Sequence, residues 1–277
     1  LAMRTVHCML WAGLFCESEA TVRSIRLSVC CLLLAGLRGA ASADEGMWMP
    51  QQLPALAGRL RALGFEGDAQ AFADLTGQPM GAMVSLGGCS ASFVSAFGLI
   101  VTNHHCVQGA LQYNSTPERD LLLSGFFARG REDELSNGPG SRVSVTTQVL
   151  EVTDDLLRRL QPKLTDRARY DVVELWTKER TAACEKDGSR CRIASFFGGL
   201  RWFEIKQLEI RDVRLVYAPA KGIGNFGGET DNWRWPRHTG DFSFYRAYVG
   251  PDGKAAPYSK DNVPYRPKRW LKVSPKG

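Results

Sequence analysis

Two adjacent histidines and two cysteines form the most reactive group of side chains in the sequence. The segment Val101-Thr102-Asn103-His104-His105-Cys106 ends a predicted strand that follows a hairpin, and Cys89 lies 17 residues before Cys106. A catalytic imidazole exchanges a proton near neutral pH, and His is the side chain that does so without a shifted pKa. A disulfide between the two cysteines would fix the strand end. The pattern predicts a tethered imidazole that transfers protons.

Three other interpretations of this group remain open. Cys89, His104, His105 and Cys106 could hold zinc, although neighbouring strand residues point to opposite faces and therefore rarely ligate one metal together. The histidine and cysteine could also form a plain structural pair. Finally, His104 rather than His105 could be the base, since alternation along a strand keeps only one of them inward.

A second group of polar side chains lies in a Gly-rich, aromatic segment from Gly222 to Ser243. Asp241 opens a strand whose aromatic side chains are predicted to pack inward, namely Phe242, Phe244 and Tyr248. That is a suitable setting for a buried carboxylate that orients an imidazole. Asp231 is the rival carboxylate, and a role in forming a turn is its simpler explanation.

The elements that must position these groups are predicted mainly as strands. Alternating and β-branched runs predict strands at 82–86, 91–95, 99–102, 143–152, 203–210, 213–217 and 243–249. Residues 165–184 have the pattern of a helix, and Thr153 is predicted to cap another that begins at Asp154. Helices inserted among strands favour a β-barrel-type domain with a helical insertion.

From Gly46 onward the sequence resembles the bacterial dipeptidyl-aminopeptidases of the dipeptidyl-peptidase 7 and 11 type. The resemblance rests on the opening Gly46-Met47-Trp48 and on the segments 89–95, 102–106 and 230–243. It implies an exported serine exopeptidase with a chymotrypsin-like double barrel and a large helical domain. The expected fold is therefore mainly β with helical insertions, the first chymotrypsin-like β-barrel of the pair. The chain is expected to stop before the second barrel and the helical domain.

The resemblance also implies a role for individual residues. Chymotrypsin-like peptidases carry their catalytic His in a V-T-A-A-H-C segment, so His105 takes the place of the general base here. Asp241 would orient His105, and Asn232 and Trp233 would bind the free α-amino group of the substrate. Core packing is the alternative for Trp233 and the favoured interpretation of Trp235. Neither a metal nor a cofactor is expected, and the nucleophilic Ser is expected outside this chain.

The implied activity is the release of dipeptides from the free amino terminus of peptides. The isolated chain is expected to be inactive, because members of a catalytic triad work as a unit. The alternative is a non-catalytic homologue that binds peptide amino termini. Peptides are the expected partners, and the sequence leaves a homodimer open.

The first 43 residues have the pattern of a secretory signal peptide with an odd upstream extension. Arg23 and Arg26 precede a short apolar run, and Ala41-Ser42-Ala43 forms a cleavage site. This predicts a mature region of residues 44–277 in the periplasm or outside the cell. The apolar run is too short to span a bilayer, so no stable membrane insertion is expected.

Export makes disulfides available to the four cysteines of the mature region, Cys89, Cys106, Cys184 and Cys191. Three pairings are possible. The pairing of near neighbours, Cys89 with Cys106 and Cys184 with Cys191, is the simplest, and the family resemblance favours it.

The charge balance argues against nucleic acid as a partner. The net charge is +6, and residues 44–277 carry 31 basic and 27 acidic side chains. No run rich in Lys and Arg accompanies this mixed composition.

Overall fold

The computed structural model describes residues 48–187, 189–228, 230, 234–235 and 237–276. Its strands are β1 (Met83–Ser85), β2 (Ser90–Phe93), β3 (Leu99–Thr102), β4 (Phe126–Phe127), β5 (Leu135–Ser136), β6 (Val143–Glu151), β7 (Arg190–Phe196), β8 (Arg201–Ile210), β9 (Asp212–Ala218), β10 (Ser243–Val249) and β11 (Val263–Pro264). Its α-helices are α1 (Ala57–Ala62), α2 (Ala69–Ala73), α3 (Gln108–Tyr113), α4 (Leu121–Ser124), α5 (Thr153–Arg159), α6 (Asp166–Cys184) and α7 (Lys221–Gly224). Short 3₁₀ turns occur at Pro50–Leu56, Met80–Ala82, His104–Val107, Arg131–Asp133, Glu185–Asp187 and Phe197–Gly199.

All paired strands run antiparallel. Their order is β4-β9-β10-β3-β2-β1-β6-β8-β7, with β11 beside β10 and β5 beside β9. The prediction of a mainly β fold with helical insertions is confirmed. Among the described residues the pairing order is open, with β4 and β7 at its ends.

The hairpin of β2 and β3 carries the first reactive group. Strand β3 consists of apolar and β-branched residues, and Phe93 of β2 and Ile100 of β3 are fully buried. The turn closes at Gly98, whose φ of +70° suits glycine. A Cβ at Gly98 would lie 2.8 Å from the carbonyl oxygen of Ala247, so β10 passes directly beside this turn.

One apolar core is shared by eight strands. Buried side chains from β1, β2, β3, β4, β6, β8, β9 and β10 form one cluster, which includes Phe93, Ile100, Val143, Leu215 and Tyr245. Only Arg211 separates the end of β8 from the start of β9. The chain therefore passes directly from one arm of the pairing order to the other.

A second, smaller core lies between the far ends of β6 and β8 and the two helices α5 and α6. Trp176 on α6 is fully buried and meets Trp202 edge-on, with 5.7 Å between ring centroids. Its indole N–H donates to Asp155 at 2.8 Å. The helix predicted at 165–184 is confirmed as α6. Thr165 caps it by accepting a hydrogen bond from the backbone N–H of Ala168.

Two details of the predicted elements are wrong. Val152, not Thr153, occupies the residue before α5, and no side chain caps that helix. The inward residues of β10 are Ser243, Tyr245 and Ala247, whereas Phe242 and Phe244 contact Tyr217 instead. Of the three aromatic residues predicted to pack inward, Tyr248 is buried, whereas Phe242 and Phe244 are not.

A buried ion pair holds the segment after β10 against β9. Asp212 accepts two hydrogen bonds from Arg214, at 3.0 and 2.7 Å, and a third from Asn262 at 2.9 Å. The guanidinium of Arg214 also lies 3.9 Å from the ring centroid of Tyr248 and 4.8 Å from that of Tyr258. Both charged groups are therefore fully partnered.

Replacing Asp212 with alanine should lower the free energy of unfolding by about 3–5 kcal/mol, because it leaves the buried Arg214 cation unpaired. Urea denaturation measures the change. Glu174→Ala is the control, since it breaks only an exposed pair between Glu174 and Lys178. Equal effects of the two substitutions would contradict the buried pair's importance.

None of the described helices combines the length and the apolar character that a bilayer crossing requires. The predicted signal peptide lies outside the described residues.

Candidate active site

The two histidines follow β3 in a 3₁₀ turn, His104–Val107, rather than continuing the strand. Cys106 in this turn is bonded to Cys89, which directly precedes β2. Strand alternation therefore does not govern the two rings, yet they still differ in exposure. His104 is 1% exposed, whereas the side chain of His105 is 63% exposed. The accessible imidazole is that of His105.

His105 and Asp241 meet although 136 residues separate them. Strand β10 pairs with β3 so that Ser243 lies opposite Thr102, and this register places the residue two before Ser243 beside the 3₁₀ turn. His105 Nδ1 lies 3.2 Å from Asp241 Oδ2, and the backbone N–H of His105 donates to Oδ1 at 3.2 Å. The predicted base and the predicted carboxylate are thus brought together.

Asn103 is a further partner of the carboxylate that the sequence analysis did not assign. Its side-chain amide donates to Asp241 Oδ2 at 3.1 Å and to the Asp241 backbone oxygen at 3.3 Å. Burial alone would raise the pKa of Asp241. The backbone N–H groups of His105 and His104 and the Asn103 amide outweigh it, so the pKa lies below its ordinary value. Asp241 is therefore ionised at neutral pH.

An ionised Asp241 fixes the protonation pattern of the neutral His105 ring. A carboxylate accepts hydrogen bonds only, so Nδ1 must carry the proton that faces Oδ2. The lone pair then resides on Nε2, where it can accept a proton from a nucleophile. The same carboxylate would stabilise the imidazolium formed by that transfer. The pair has the chemistry of a general base and its orienting group.

His104 is buried directly behind this pair. Neither of its ring nitrogens meets the distance and angle of a hydrogen bond among the residues that the structure describes, although the backbone of Pro219 lies close enough to act on its pKa. Burial lowers the pKa of His104, and the nearby Asp241 carboxylate opposes that effect only in part. An inaccessible, neutral ring is poorly placed to act as the base in place of His105.

His104 should make the fold sensitive to acid. A base whose folded-state pKa lies below the unfolded value of 6.5 takes up a proton on unfolding. Its contribution to stability is complete above that pH and falls as the pH drops below it, by at most about 1.4 kcal/mol per pH unit. His104→Phe should therefore flatten the dependence of unfolding free energy on pH between pH 7.5 and 5.5.

Urea denaturation at the two pH values measures this change. Replacing the exposed His238 with Phe is the matched control and should leave the dependence as it is in the unsubstituted chain. An unchanged pH dependence in the His104 variant would contradict the burial of a neutral ring.

A cavity of about 260 Å³ opens beside the two rings. Its walls include His105, Gln108, Asn225, Thr239 and Asp241. The reacting imidazole thus borders a space that a substrate can enter, with polar side chains on several sides.

The residues predicted to bind the substrate's amino group, Asn232 and Trp233, lie outside the described residues, as does the rival carboxylate Asp231. Trp235 is 75% exposed, so its favoured interpretation as a core residue is wrong. Arg237 donates a hydrogen bond to the Thr230 backbone oxygen at 2.7 Å.

The cysteines are paired as near neighbours. In addition to Cys89–Cys106, the structure contains Cys184–Cys191, which joins the end of α6 to β7. Cys89, His105 and Cys106 place one ligand atom each within 4.8 Å of one another. Both sulfurs are already bonded in the disulfide, so the zinc interpretation lacks its two thiolates in this oxidised form.

Comparison with known proteins agrees with the resemblance found in the sequence. Residues 43–277 match the family model described as Peptidase S46. An Asp/Glu-specific dipeptidyl-peptidase of Shewanella putrefaciens is 49% identical over 241 residues, covering 86% of this chain and 32% of that protein. Dipeptidyl-peptidase 7 of Porphyromonas gingivalis is 39% identical over 253 residues, covering 88% and 35%.

A solved structure matches as well. The crystal structure of Porphyromonas endodontalis DPP11 in complex with the dipeptide Arg-Glu superposes with a TM-score of 0.71 at 38% sequence identity. The match covers 84% of this chain and 36% of that one. The chain thus spans about a third of the length of the relatives it matches.

Proposed function

The chain belongs to the peptidase S46 family, and we propose on this basis that it forms part of a serine-type dipeptidyl-peptidase. The relatives are named dipeptidyl-peptidases, and the full-length enzyme would accordingly release dipeptides, from the free amino terminus of peptides. The observation that carries the proposal is the pairing of His105 with Asp241 beside an open cavity. This pair supplies two of the three groups of a catalytic triad.

The proposed reaction proceeds through an acyl-enzyme. A serine hydroxyl attacks the carbonyl carbon of the second peptide bond, which is the scissile bond, and His105 Nε2 takes the hydroxyl proton. Asp241 stabilises the resulting imidazolium, which returns the proton to the leaving amine as the C–N bond breaks. Water then attacks the dipeptidyl ester, again with His105 as the base, and releases the dipeptide.

We propose that the nucleophile is contributed by a part of the polypeptide that these 277 residues do not contain. Among the described residues, the side-chain hydrogen bond of His105 goes to Asp241 and none goes to a serine. The chain alone is therefore expected to be inactive, since a triad without its nucleophile loses nearly all of its advantage.

Recognition of the free amino group is proposed for Asn232 and Trp233. A side-chain carbonyl accepts hydrogen bonds from an ammonium group, and an indole face attracts its charge. These residues belong to the same loop as Thr239 and Asn225, which border the cavity beside His105. That location in the chain supports their assignment to the substrate's amino terminus.

We further propose that the strands around the first core form the first chymotrypsin-like barrel of a double barrel. The support is the single residue, Arg211, between β8 and β9, which lie in the two opposite arms of the pairing order. A chain that turns directly from one arm into the other brings the two arms together around one core. The common apolar cluster agrees with this arrangement.

Export is proposed from the pattern of residues 1–43, with residues 44–277 as the mature region in the periplasm or outside the cell. The two disulfides support an oxidising compartment. Sequencing the amino terminus of the exported protein tests this: a start at Asp44 supports it, and retention of residues 1–43 contradicts it. Sedimentation of the same preparation tests the homodimer that the sequence leaves open.

The proposed activity is tested with the full-length polypeptide and a set of peptides that differ only in their second residue. Asp, Glu and Leu at that position cover acidic and apolar preferences. Mass spectrometry should detect dipeptides from peptides with a free amino terminus and none from their acetylated counterparts. Cleavage of acetylated peptides, or no cleavage at all, would contradict the proposal. Binding of free peptides without cleavage would favour the non-catalytic alternative.

A further inference from the structure

Asn103 occupies the position from which a side chain normally caps a turn. It directly precedes the 3₁₀ turn His104–Val107 and has an extended backbone, with φ of −75° and ψ of 147° replaced here by 155°. Asparagine is among the residues preferred at such a position, because its side-chain oxygen accepts a hydrogen bond from a backbone N–H of the first turn. Within this turn, all of which the structure describes, the Asn103 side chain makes no capping hydrogen bond. Its side chain therefore has another role.

The carboxylate of Asp241 takes the capping place instead. The backbone N–H of His105 donates to Oδ1 of Asp241 at 3.2 Å, and the backbone N–H of His104 also donates to this carboxylate. The first N–H groups of a helical turn have no partner within the turn itself, so an acceptor from elsewhere in the chain satisfies them. Asp241 is thus held at Oδ1 by the same turn that carries the reacting imidazole.

The other oxygen of this carboxylate, Oδ2, faces the His105 ring. His105 Nδ1 lies 3.2 Å from Oδ2, and the side-chain amide of Asn103 donates to the same oxygen at 3.1 Å. A carboxylate offers roughly four lone-pair sites on its two oxygens, so Oδ2 can accept from both groups at once. The Asn103 amide also donates to the backbone oxygen of Asp241 at 3.3 Å. One amide therefore ties the carboxylate to its own main chain.

Packing does not explain the position of the Asn103 side chain. Asn103 is exposed, so it contributes little to the apolar core. Its side-chain hydrogen bonds among the described residues go to Asp241 alone, which is 138 residues away in the chain. Without them the carboxylate would stay attached at Oδ1 but could rotate, and Oδ2 would then leave the line to His105 Nδ1.

We propose that Asn103 is a positioning residue that holds Oδ2 of Asp241 in line with Nδ1 of His105. The inference rests on the proposed function, in which His105 is the base and Asp241 orients it. Asn103 limits the rotation of the carboxylate, so the ring keeps one orientation and its lone pair stays on Nε2. It touches no reacting atom and acts on the reaction through Asp241.

Two substitutions in the full-length polypeptide test this role. Asn103→Leu removes the donor, and Asn103→Asp keeps the shape but supplies an ionised group that only accepts hydrogen bonds. Each should lower kcat for dipeptide release about 10- to 100-fold, the range for losing a hydrogen bond to a charged group. KM should stay within about twofold, because the lost interaction acts on the transition state. Initial rates at several peptide concentrations measure both constants, and thermal melting checks the fold.

Gln112 provides a matched control for each substitution. It is an exposed amide residue on α3, and Gln112→Leu and Gln112→Glu make the same chemical changes without altering a contact of Asp241. Both should leave kcat within about twofold of the unsubstituted protein. A kcat within that range in both Asn103 variants would overturn the proposal. A loss confined to KM would also overturn it, since it would assign Asn103 to substrate binding.

A double variant tests the route through Asp241. If Asn103 acts only by holding that carboxylate, Asn103→Leu/Asp241→Ala should be no slower than Asp241→Ala alone. A merely structural role would lower kcat by the same factor in both backgrounds, and losses that multiply in this way would overturn the proposal.

The failure of this inference can be told apart from the failure of the proposed function. No dipeptide release by the unsubstituted protein would overturn the proposed function, and this inference with it. Release that is lost in His105→Ala but retained in both Asn103 variants would overturn the inference alone.

Discussion

Replacing His105 with alanine should lower kcat for dipeptide release by the full-length polypeptide about 10⁴- to 10⁶-fold, the cost of removing the base of a serine triad. Without an imidazole the serine hydroxyl keeps its proton, and the leaving amine receives none. The side chain of His105 is largely exposed, so its loss should not disturb the fold. Initial rates with a peptide of free amino terminus, together with a thermal melting curve, measure both effects.

Gln112→Ala is the control for this substitution. Gln112 is an exposed residue of α3, the helix that follows His105, and its replacement should leave kcat within about twofold. The alternative base, His104, is tested with a fluorophosphonate, a reagent that reacts with an activated serine. Loss of that reaction in His104→Ala, with full reaction in His105→Ala, would show that the two histidines have been assigned the wrong way round.

Replacing Asp241 with asparagine should lower kcat about 10⁴-fold, although the two side chains have nearly the same shape. An amide N–H₂ group facing His105 Nδ1 would donate to that nitrogen instead of accepting from it. The proton of the neutral ring would then move to Nε2, which could no longer act as the base. The rate of dipeptide release measures the loss.

Asp261→Asn is the matched control because it removes the same charge at an exposed position. It should leave kcat within about twofold. A comparable loss in this variant would indicate an effect of net charge. A loss below about tenfold in Asp241→Asn would remove Asp241 from the proposed proton relay, since one factor of ten is only about 1.4 kcal/mol.

The sequence predicted the parts of the fold that repeat a pattern over several residues. Strands β1, β2, β3, β6, β8, β9 and β10 and helix α6 lie where apolar periodicity indicated them. The meeting of His105 with Asp241 followed from motif positions that the family resemblance supplied, not from periodicity. A register of antiparallel strands across 136 residues cannot be read from the sequence of either strand alone.

The missed features are short or depend on tertiary contacts. Helices α3, α4 and α7 have four to six residues each, too few for a helical periodicity to appear. The 3₁₀ turn at His104–Val107 continues a strand-like sequence, so alternation suggested that one histidine points inward but not which one. The hydrogen bond from Asn103 to Asp241 had no signal apart from the position of Asn103 in the motif.

The central claim is that His105 and Asp241 act as one proton-transfer unit. The most direct measurement is kcat for dipeptide release by the double variant His105→Ala/Asp241→Asn, compared with both single variants in the full-length polypeptide. If the two residues form one unit, the double variant should be no slower than His105→Ala alone, because Asp241 acts only through the ring. Losses that multiply would mean that the two side chains work independently, and would contradict the account.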